Sequence, residues 1–558
     1  MPNSIQHIFV LMLENRSFDH LLGFSGIKGS DAVSGRTTEI AGLMDLSLRS
    51  LTASYGAKAV SALVPDRGRD WPPPPNVSLR SLFTSNQITA TLYSASKPAP
   101  FVLNVGPGHE FSDVLLQLCG LDSENAYLAA AQSFRAGGGP APVYPAITNS
   151  GFAQSFAAAI GNASDPAGQA IGDVFRSYDP AQLPILNTLA QEFAVCDHWF
   201  ASLPGPTWPN RFFAHAASSA GLDHSPSLGE IALWDSSGLS FANGSIYDRL
   251  NQAGLKWKVY AGDNFPPVLA ISGIDVTDVN DYSDFAGHIR GGSYDASYTF
   301  IEPSYGDLVS GSYRCGTSQH PLDDVTRGEA LIKATYETLR ASPIWNQSLL
   351  IITWDEHGGF FDHVPPPAAA PPGDTTPGGS YNLYGFAFDR CGPRVPAIVV
   401  SPLIPHNSID HRVYDHASIP ATLEQCFGLA PLTARDRAAQ SVLGLASLTT
   451  PRASAISVLP PVAQSNFTGC PPVSFAAGMQ GAAAGSLDSS TNPGALADQR
   501  NLPGFLHIAL KVDLALSAPG LQNDIIMRFR AIATAGQAAD YIRSVNAKVI
   551  SEKSSPTR

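Results

Sequence analysis

Two pairs of oxygen-bearing side chains stand directly behind apolar runs: Glu14-Asn15 after "HIFVLML" and Asp355-Glu356 after "LLIITW". Three carboxylates and an amide from two strand ends make a hard, oxygen-rich donor set. It suits a single divalent cation, Mg²⁺, Ca²⁺ or Mn²⁺, and is open to Zn²⁺. One such pair marks only a strand reaching solvent, whereas two matched pairs point to a metal. Thr207, in "LPGPTWPNRFF", has the chemistry of a helix N-cap, with Pro209 in the first turn where a missing N–H is harmless. The free N–H groups of that helix start would face an anion and bring the Thr207 hydroxyl to a phosphate. A hydroxyl attacking phosphorus needs a cation to lower its pKa and donors for the equatorial oxygens. His109 in "GPGHEFSD", His288 in "FAGHIR" and His320 in "SQHPLDDV" lie in polar, Gly/Pro-rich contexts and are the candidate donors, one of them serving as acid for the leaving oxygen. Just past the second pair, "HGGFFDHV" adds His357, Asp362 and His363, with Gly358 and Gly359 allowing close backbone approach. Asp362 and His363 read either as outer support for the site or as structural.

The elements that must position these groups are legible as patterns. Ile8 to Leu13, Phe193 to Cys196, Leu349 to Trp354 and Ala397 to Val400 are near-continuous apolar runs, the signature of buried, parallel-type strands. A fifth strand, "KWKVYAG" from Lys256, follows the helical "SIYDRLNQAG", which Gly254 would terminate. Before the third strand, "GEALIKATYETLR" sets Ile332, Thr335, Tyr336 and Leu339 on one helical face. This βαβ rhythm predicts an α/β fold: an α/β/α sandwich with a mostly parallel central sheet and long loop insertions. Ligands in such sheets bind beyond the carboxyl ends of the strands, where both polar pairs fall.

Residues 55–180 are Gly/Pro-rich ("WPPPPN", "AGGGPAPVYPA") and read as insertions on the sheet, not as a second core. "PPPAAAPPGDTTPGG" from Pro365 reads as a lid or rim, or as a surface spacer. The predicted organisation is a catalytic domain over 1–445, a Pro/Ala/Gly/Ser-rich connection over 446–500 and a small appendage over 501–558. In the appendage Leu506, Ile508, Leu510, Val512, Leu514 and Leu516 alternate as in a half-buried strand, and Ala538, Tyr541, Ile542, Val545 and Val549 share a helix face.

Bulk composition narrows the partners. The 558 residues are 44% hydrophobic and 15% charged, with 49 Gly and 45 Pro, as in a globular protein rich in loops. A formal charge of −13 excludes a general nucleic-acid footprint. The six cysteines are scattered without CxxC spacing, which implies neither a thiolate metal site nor a disulfide-dense framework, and Cys196 reads as a buried apolar residue. No transmembrane segment and no leader are visible, so the chain as written is expected in the cytoplasm, or exported if a leader was removed.

Thr207-Trp208-Pro209-Asn210-Arg211 has the T-x-P-x-R spacing of a sulfatase nucleophile motif, with threonine in place of the Cys or Ser that becomes formylglycine. The blocks "HIFVLMLENRSFDHLLG", "GHEFSD", "LPGPTWPNR", "YDRLNQAGLKWKVY", "SQHPLDDVTRGEALI", "IITWDEHGGFFDHVPPP", "RVPAIVVSPLI" and "YDHASIPATLE" follow in order over about residues 5–430. Through them the chain resembles the bacterial phosphoesterase family of phosphatidylcholine-type phospholipases C and related acid phosphatases, within the alkaline phosphatase-like superfamily. The resemblance implies one divalent cation held by Glu14, Asn15, Asp355 and Glu356, with Thr207 as both ligand and nucleophile and a phosphothreonine intermediate. It makes His109, His288 and His320 the phosphoryl contacts. The expected substrate is a phosphate ester, either a phospholipid or a soluble phosphomonoester. An apolar rim for a lipid could come from "FSGIKGS", "WPPPP" and the proline-rich segment after Asp362. Two other classes compete: a serine-type esterase, disfavoured because no G-x-S-x-G occurs, and a non-catalytic protein whose metal only ties strand ends together.

Overall fold

The computed structural model describes residues 5–44, 98–163, 168–234, 236–308, 313–375, 377–475 and 501–553. Its strands are β1 (His7–Leu13), β2 (Lys28–Asp31), β3 (Thr37–Glu39), β4 (Ala194–Cys196), β5 (Trp199–Phe200), β6 (Trp257–Ala261), β7 (Val279–Asp281), β8 (Tyr298–Glu302), β9 (Ser348–Trp354), β10 (Ala397–Val400), β11 (Ser408–Asp410) and β12 (Tyr414–Asp415). Ten of them form one sheet in the order β3-β2-β11-β4-β10-β9-β1-β8-β6-β7, and β12 pairs with β5 separately. Every residue of β1, β9 and β10 is buried. Successive side chains of a strand point to opposite faces, so both faces of the sheet centre must be covered. One layer contains the packed helices Pro184–Glu192, Val325–Arg340 and Phe285–Arg290; another joins Thr207–Ala216 to Ile246–Gln252 and Ser418–Phe427. The predicted α/β/α sandwich is thus the observed one.

The apolar runs form strands within a residue or so of their expected bounds, with one correction of direction. β10 is antiparallel to both β9 and β4. A run buried on both faces carries no mark of polarity, so its composition could not reveal this. The other internal pairings are parallel, and strands β1, β4, β6, β8, β9 and β11 therefore end on the same edge of the sheet. In the β1–β9 register Leu13 lies opposite Trp354, so Glu14 and Asp355 leave the sheet side by side.

The expected C-terminal strand is instead the helix Leu502–Ala515, with Pro503 in its first turn. The period-2 run of Leu, Ile and Val misleads because His507, Ala509, Lys511 and Asp513 between them are buried as well. Lys511 Nζ donates to the carbonyls of Ser237, Leu269 and Ile271, while Asp513 accepts from Tyr541 and Lys548. A helix with satisfied polar groups can be buried on all sides, which erases the 3.6-residue signal. The second expectation holds: Ala538, Tyr541, Ile542, Val545 and Val549 are buried on the helix Ala535–Lys553.

Two further expectations change. The insertion is described from residue 98 and is helical, with Phe111–Cys119, Leu121–Arg135 and Phe152–Asn162 enclosing their own apolar cluster around Phe111, Phe152 and Phe361. "WPPPP" lies outside the described residues, and "FSGIKGS" runs into strand β2, next to the sheet edge. The connection after residue 446 is laid against the body as far as it is described. Tyr336 Oη donates to Ile456 O, Lys333 Nζ donates to Leu459 O at 2.6 Å, and Arg452 pairs with Glu192. Cys470 forms a disulfide with Cys315 across 155 residues. Arg327 reinforces that junction by donating to the carbonyls of Cys315, Gly316 and Pro471. Replacing both cysteines by serine should lower the free energy of unfolding by about 2–5 kcal/mol. Chemical denaturation of the two proteins measures the difference, and equal midpoints would show that the cross-link adds no stability.

Candidate active site

The strand ends meet at one guanidinium. Arg211 is buried; its Nε donates to Asp355 Oδ2 (3.0 Å), its Nη1 to Glu302 Oε2 (2.7 Å) and its Nη2 to Leu13 O (3.1 Å). It therefore joins β1, β8 and β9 to the helix that carries Thr207. Neither β8, "YTFIE", nor Glu302 was anticipated from the sequence, although four aromatic or β-branched residues in a row ending in a carboxylate repeat the pattern of the other strand ends. In the sequence Arg211 stands out only through the T-x-P-x-R spacing.

Asp355 is held from several directions. Its Oδ1 accepts the backbone N–H groups of Asn15 (3.0 Å) and Glu356 (2.8 Å), and His416 Nε2 contacts its carbonyl at 2.6 Å. Asn15 reaches this position with a left-handed backbone (φ 56°). Gly358 (φ 67°) must be glycine here, because a Cβ would lie 2.1 Å from Asn15 O. Burial, reinforced by the Asp355 charge, holds the Glu14 carboxyl well above its ordinary range. Burial likewise raises Asp355, against the pull of Arg211, and pushes Glu356 up to about 8. Buried carboxylates this close are stable as anions only if more positive charge joins them.

Several buried side-chain atoms have no hydrogen-bond partner among the described residues. They include both carboxylate oxygens of Glu14, Asn15 Oδ1, Glu356 Oε1 and Thr207 Oγ1. Unsatisfied buried oxygens cost about 1–3 kcal/mol each when nothing binds them. Their concentration in this donor set is what a cation site of the predicted kind requires. By their chemistry Glu14, Asn15, Asp355, Glu356 and Thr207 suit a hard divalent cation.

Thr207 differs in one respect from expectation. Pro206 is the cap, and Thr207 is the first residue of the helix Thr207–Ala216, making no capping bond. Its hydroxyl is thereby left for another use. Asn210 fastens the preceding loop: its Oδ1 accepts Leu203 N–H, and its Nδ2 donates to Gly205 O and Pro206 O. Trp208, next in the chain, packs edge-on against Phe505 of the C-terminal helix at 5.2 Å between ring centres.

Two of the three histidines come together. His109 and His320 lie with ring centres 6.3 Å apart. Pro107 O lies 3.1 Å from His109 Nδ1 and so requires a proton there, which leaves Nε2 to accept from Asn15 Nδ2 (3.4 Å). His320 shows the opposite tautomer: Nδ1 faces Leu322 N–H (3.4 Å), so Nε2 carries the proton. Its ring stacks on Tyr313 at 3.8 Å, and Tyr313 Oη in turn accepts from Asn501 Nδ2. His288 is not part of this group. It is exposed on the helix Phe285–Arg290, with Nδ1 2.9 Å from Tyr260 Oη. Phe285 of that helix packs on Phe9, toward the opposite end of β1 from Glu14. The "FAGHIR" context is an amphipathic surface helix and not a catalytic loop.

His357 is buried with Nε2 2.8 Å from Gln117 Oε1, and burial lowers its pKa to about 3. Asp362 and His363 belong to an ion-paired group with Asp19 and Arg394. Arg394 donates to Asp362 (2.7 Å) and Asp19 (2.9 Å), and His363 Nδ1 lies 2.8 Å from Asp19. The Pro365 segment bridges to Arg390 through Ala368. It walls a cavity of about 410 Å³ lined also by Tyr414, Asp415 and Arg435, none of them a predicted site residue.

An α/β enzyme with a carboxylate-rich site at the carboxyl edge of its sheet is the class that this fold and geometry define. The chain belongs to the Phosphoesterase family, whose profile matches residues 5–430, and is thus a phosphoric ester hydrolase. Non-specific phospholipase C3 of Arabidopsis thaliana is 30% identical over 82% of this chain and 76% of its own length. Non-specific phospholipase C6 of the same plant is 32% identical over 83% and 76%. Phospholipase C B of Mycobacterium tuberculosis is 26% identical over 76% and 74%, so the likeness spans plant and bacterial proteins and is not confined to the bacterial family expected from the sequence. Among solved structures, an alkaline phosphatase superfamily protein from Vibrio parahaemolyticus covers 44% of this chain and 60% of its own at 14% identity, with a TM-score of 0.27. A score this low adds nothing to the fold description that the sheet order provides.

Two outcomes follow from this arrangement. Arg211→Met should cost about 3–5 kcal/mol of stability by leaving Glu302 and Asp355 buried without their cation. Denaturant titration measures the loss, and a cost under 1 kcal/mol would contradict the role given to Arg211. Glu356 binds its proton more tightly folded than unfolded. Metal-stripped protein should therefore lose stability as pH rises from about 4.5 to about 8, the value to which burial pushes this carboxyl. Glu329, raised to about 8 by burial on another helix, acts in the same direction. The discriminating quantity is consequently the gain in melting temperature on adding a divalent cation. It should be larger at pH 8 than at pH 5 and should shrink in Glu356→Gln.

Proposed function

We propose that the protein cleaves phospholipids as a metal-dependent phospholipase C with Thr207 as nucleophile. What supports this reading is that the buried Thr207 hydroxyl, like oxygens of Glu14, Asn15 and Glu356, has no hydrogen-bond partner among the described residues, while Arg211 of the same helix bonds to Asp355; the phospholipase C names of its relatives supply the substrate class. Glu14, Asn15, Asp355, Glu356 and Thr207 would hold one divalent ion, which when bound favours the alkoxide and offsets phosphate charge. Thr207 Oγ1 forms the new bond to phosphorus as the bond to the diacylglycerol oxygen breaks. His320, with its proton on Nε2, donates to the phosphoryl or leaving oxygen, and His109 orients Asn15 and offers Nε2 as acceptor. Water then releases the phosphorylated headgroup from Thr207. Arg211 takes no part in bond making; it fixes Asp355 and the helix of Thr207 in one frame. The Cys315–Cys470 disulfide favours an oxidising compartment over the cytoplasm.

Thr207→Ala should reduce turnover of p-nitrophenylphosphorylcholine by about 10³-fold or more while folding and metal content are kept, and Thr207→Ser should retain part of it. Unchanged turnover in Thr207→Ala would remove Thr207 as nucleophile. Faster hydrolysis of p-nitrophenyl phosphate than of the choline diester would move the substrate to phosphomonoesters, and activity on neither with added divalent metals would reject both.

A further inference from the structure

The same sheet edge carries a second convergence of metal-binding side chains. β4 and β11 are parallel neighbours, with Asp410 opposite Cys196, so Asp197-His198 and His411 leave the sheet side by side. His198 Nδ1 lies 2.7 Å from Asp197 Oδ1, and His411 Nδ1 lies 2.8 Å from Asp197 Oδ2. One oxygen of Asp197 and one nitrogen of each imidazole fall within 4.8 Å of one another. The carboxylate is wholly buried, whereas the side chains of His198 and His411 are 26% and 33% exposed, which gives the group a solvent approach.

The geometry points to a zinc site formed by Asp197 Oδ, His198 Nδ1 and His411 Nδ1. Two imidazoles and one carboxylate, with water as fourth ligand, are a donor set of the kind that Zn²⁺ takes in tetrahedral geometry, and softer than the all-oxygen set around Glu14. The outer contacts are those of a ligand set. His411 Nε2 lies 2.9 Å from Thr38 Oγ1, so a ring proton donated there leaves the Nδ1 lone pair directed at the metal. Ala41 N–H donates to Asp197 Oδ2 at 2.7 Å and fixes the carboxylate plane.

The other mixed cluster, Asp19, Asp362 and His363, provides the contrast. There Arg394 occupies both carboxylates and is itself the cation. Among the described residues Asp197 has no such side-chain partner: Arg394 donates only to its backbone carbonyl. A bound zinc ion would fasten Thr38 of β3, and Ala41 just after it, to the ends of β4 and β11. Its role is to pin that edge of the sheet, separately from the ester-cleaving centre.

The test compares the full-length, chelator-stripped protein with His198→Gln/His411→Gln. Both histidines are partly exposed and glutamine can still bond to Asp197, so the variant should fold, as circular dichroism checks. In equilibrium dialysis against micromolar Zn²⁺ the unaltered protein should bind one equivalent more than the variant, whatever the carboxylate centre binds in both. Co²⁺ should give visible absorption of tetrahedral type in the unaltered protein and not in the variant. Each single replacement should weaken this equivalent by about 100-fold or more, above the 10–100-fold typical of outer contacts. Equal stoichiometry in the two folded proteins, or a cobalt spectrum that survives both replacements, would overturn the site and leave a hydrogen-bonded His-Asp-His group.

Discussion

Glu14, Glu302, Asp355 and Glu356 are carboxylates buried together at the ends of three neighbouring strands, and one buried guanidinium stands among them. A carboxylate removed from water is stable only when charge or hydrogen bonds replace its hydration. Arg211 supplies that for Asp355 and Glu302, which also brings the helix of Thr207 to the strand ends. A single positive charge cannot match four negative ones, and the residual deficit sits on Glu14 and Glu356, the residues with unpartnered oxygens. Structural need and chemical capacity therefore have one origin: the charge that the fold leaves unbalanced is the charge that can hold a cation.

The surrounding architecture serves this imbalance. Parallel pairing of β1 with β8 and β9 puts three carboxylate-bearing ends in register. Left-handed backbone at Asn15 and the absence of a side chain at Gly358 let two loops touch where a Cβ would collide. His320 is reached from farther away, through Tyr313 and Asn501, so the C-terminal helices take part in the wall behind the site even though none of their residues has evident chemistry.

Residues whose context repeats were readable in the sequence; residues whose role depends on what approaches them were not. Glu14-Asn15 and Asp355-Glu356 could be paired in advance because each closes an apolar run buried on both faces. Glu302 closes a similar but shorter run and was missed. His288 was misplaced because Gly and charged neighbours look alike in a catalytic loop and on a surface helix, where its bond to Tyr260 fixes it. Leu506 to Leu516 misled because helix and strand both bury such a run, and the partners of Lys511 and Asp513, more than 200 residues and about 30 residues away in the chain, decided between them. The reversed β10 depends on a connection whose path composition does not encode.

The link between Cys315 and Cys470 has a topological consequence. It closes the intervening chain into a covalent ring that contains His320, Asp355 and Glu356, while Glu14, Asn15, His109 and Thr207 lie on the N-terminal arm outside it. The donor set is thus shared between a ring and a tail, and only noncovalent contacts hold the two in register. A cut anywhere in the ring would leave every fragment attached, whereas a cut in the arm between Thr207 and Cys315 would sever the proposed nucleophile from half of its metal ligands.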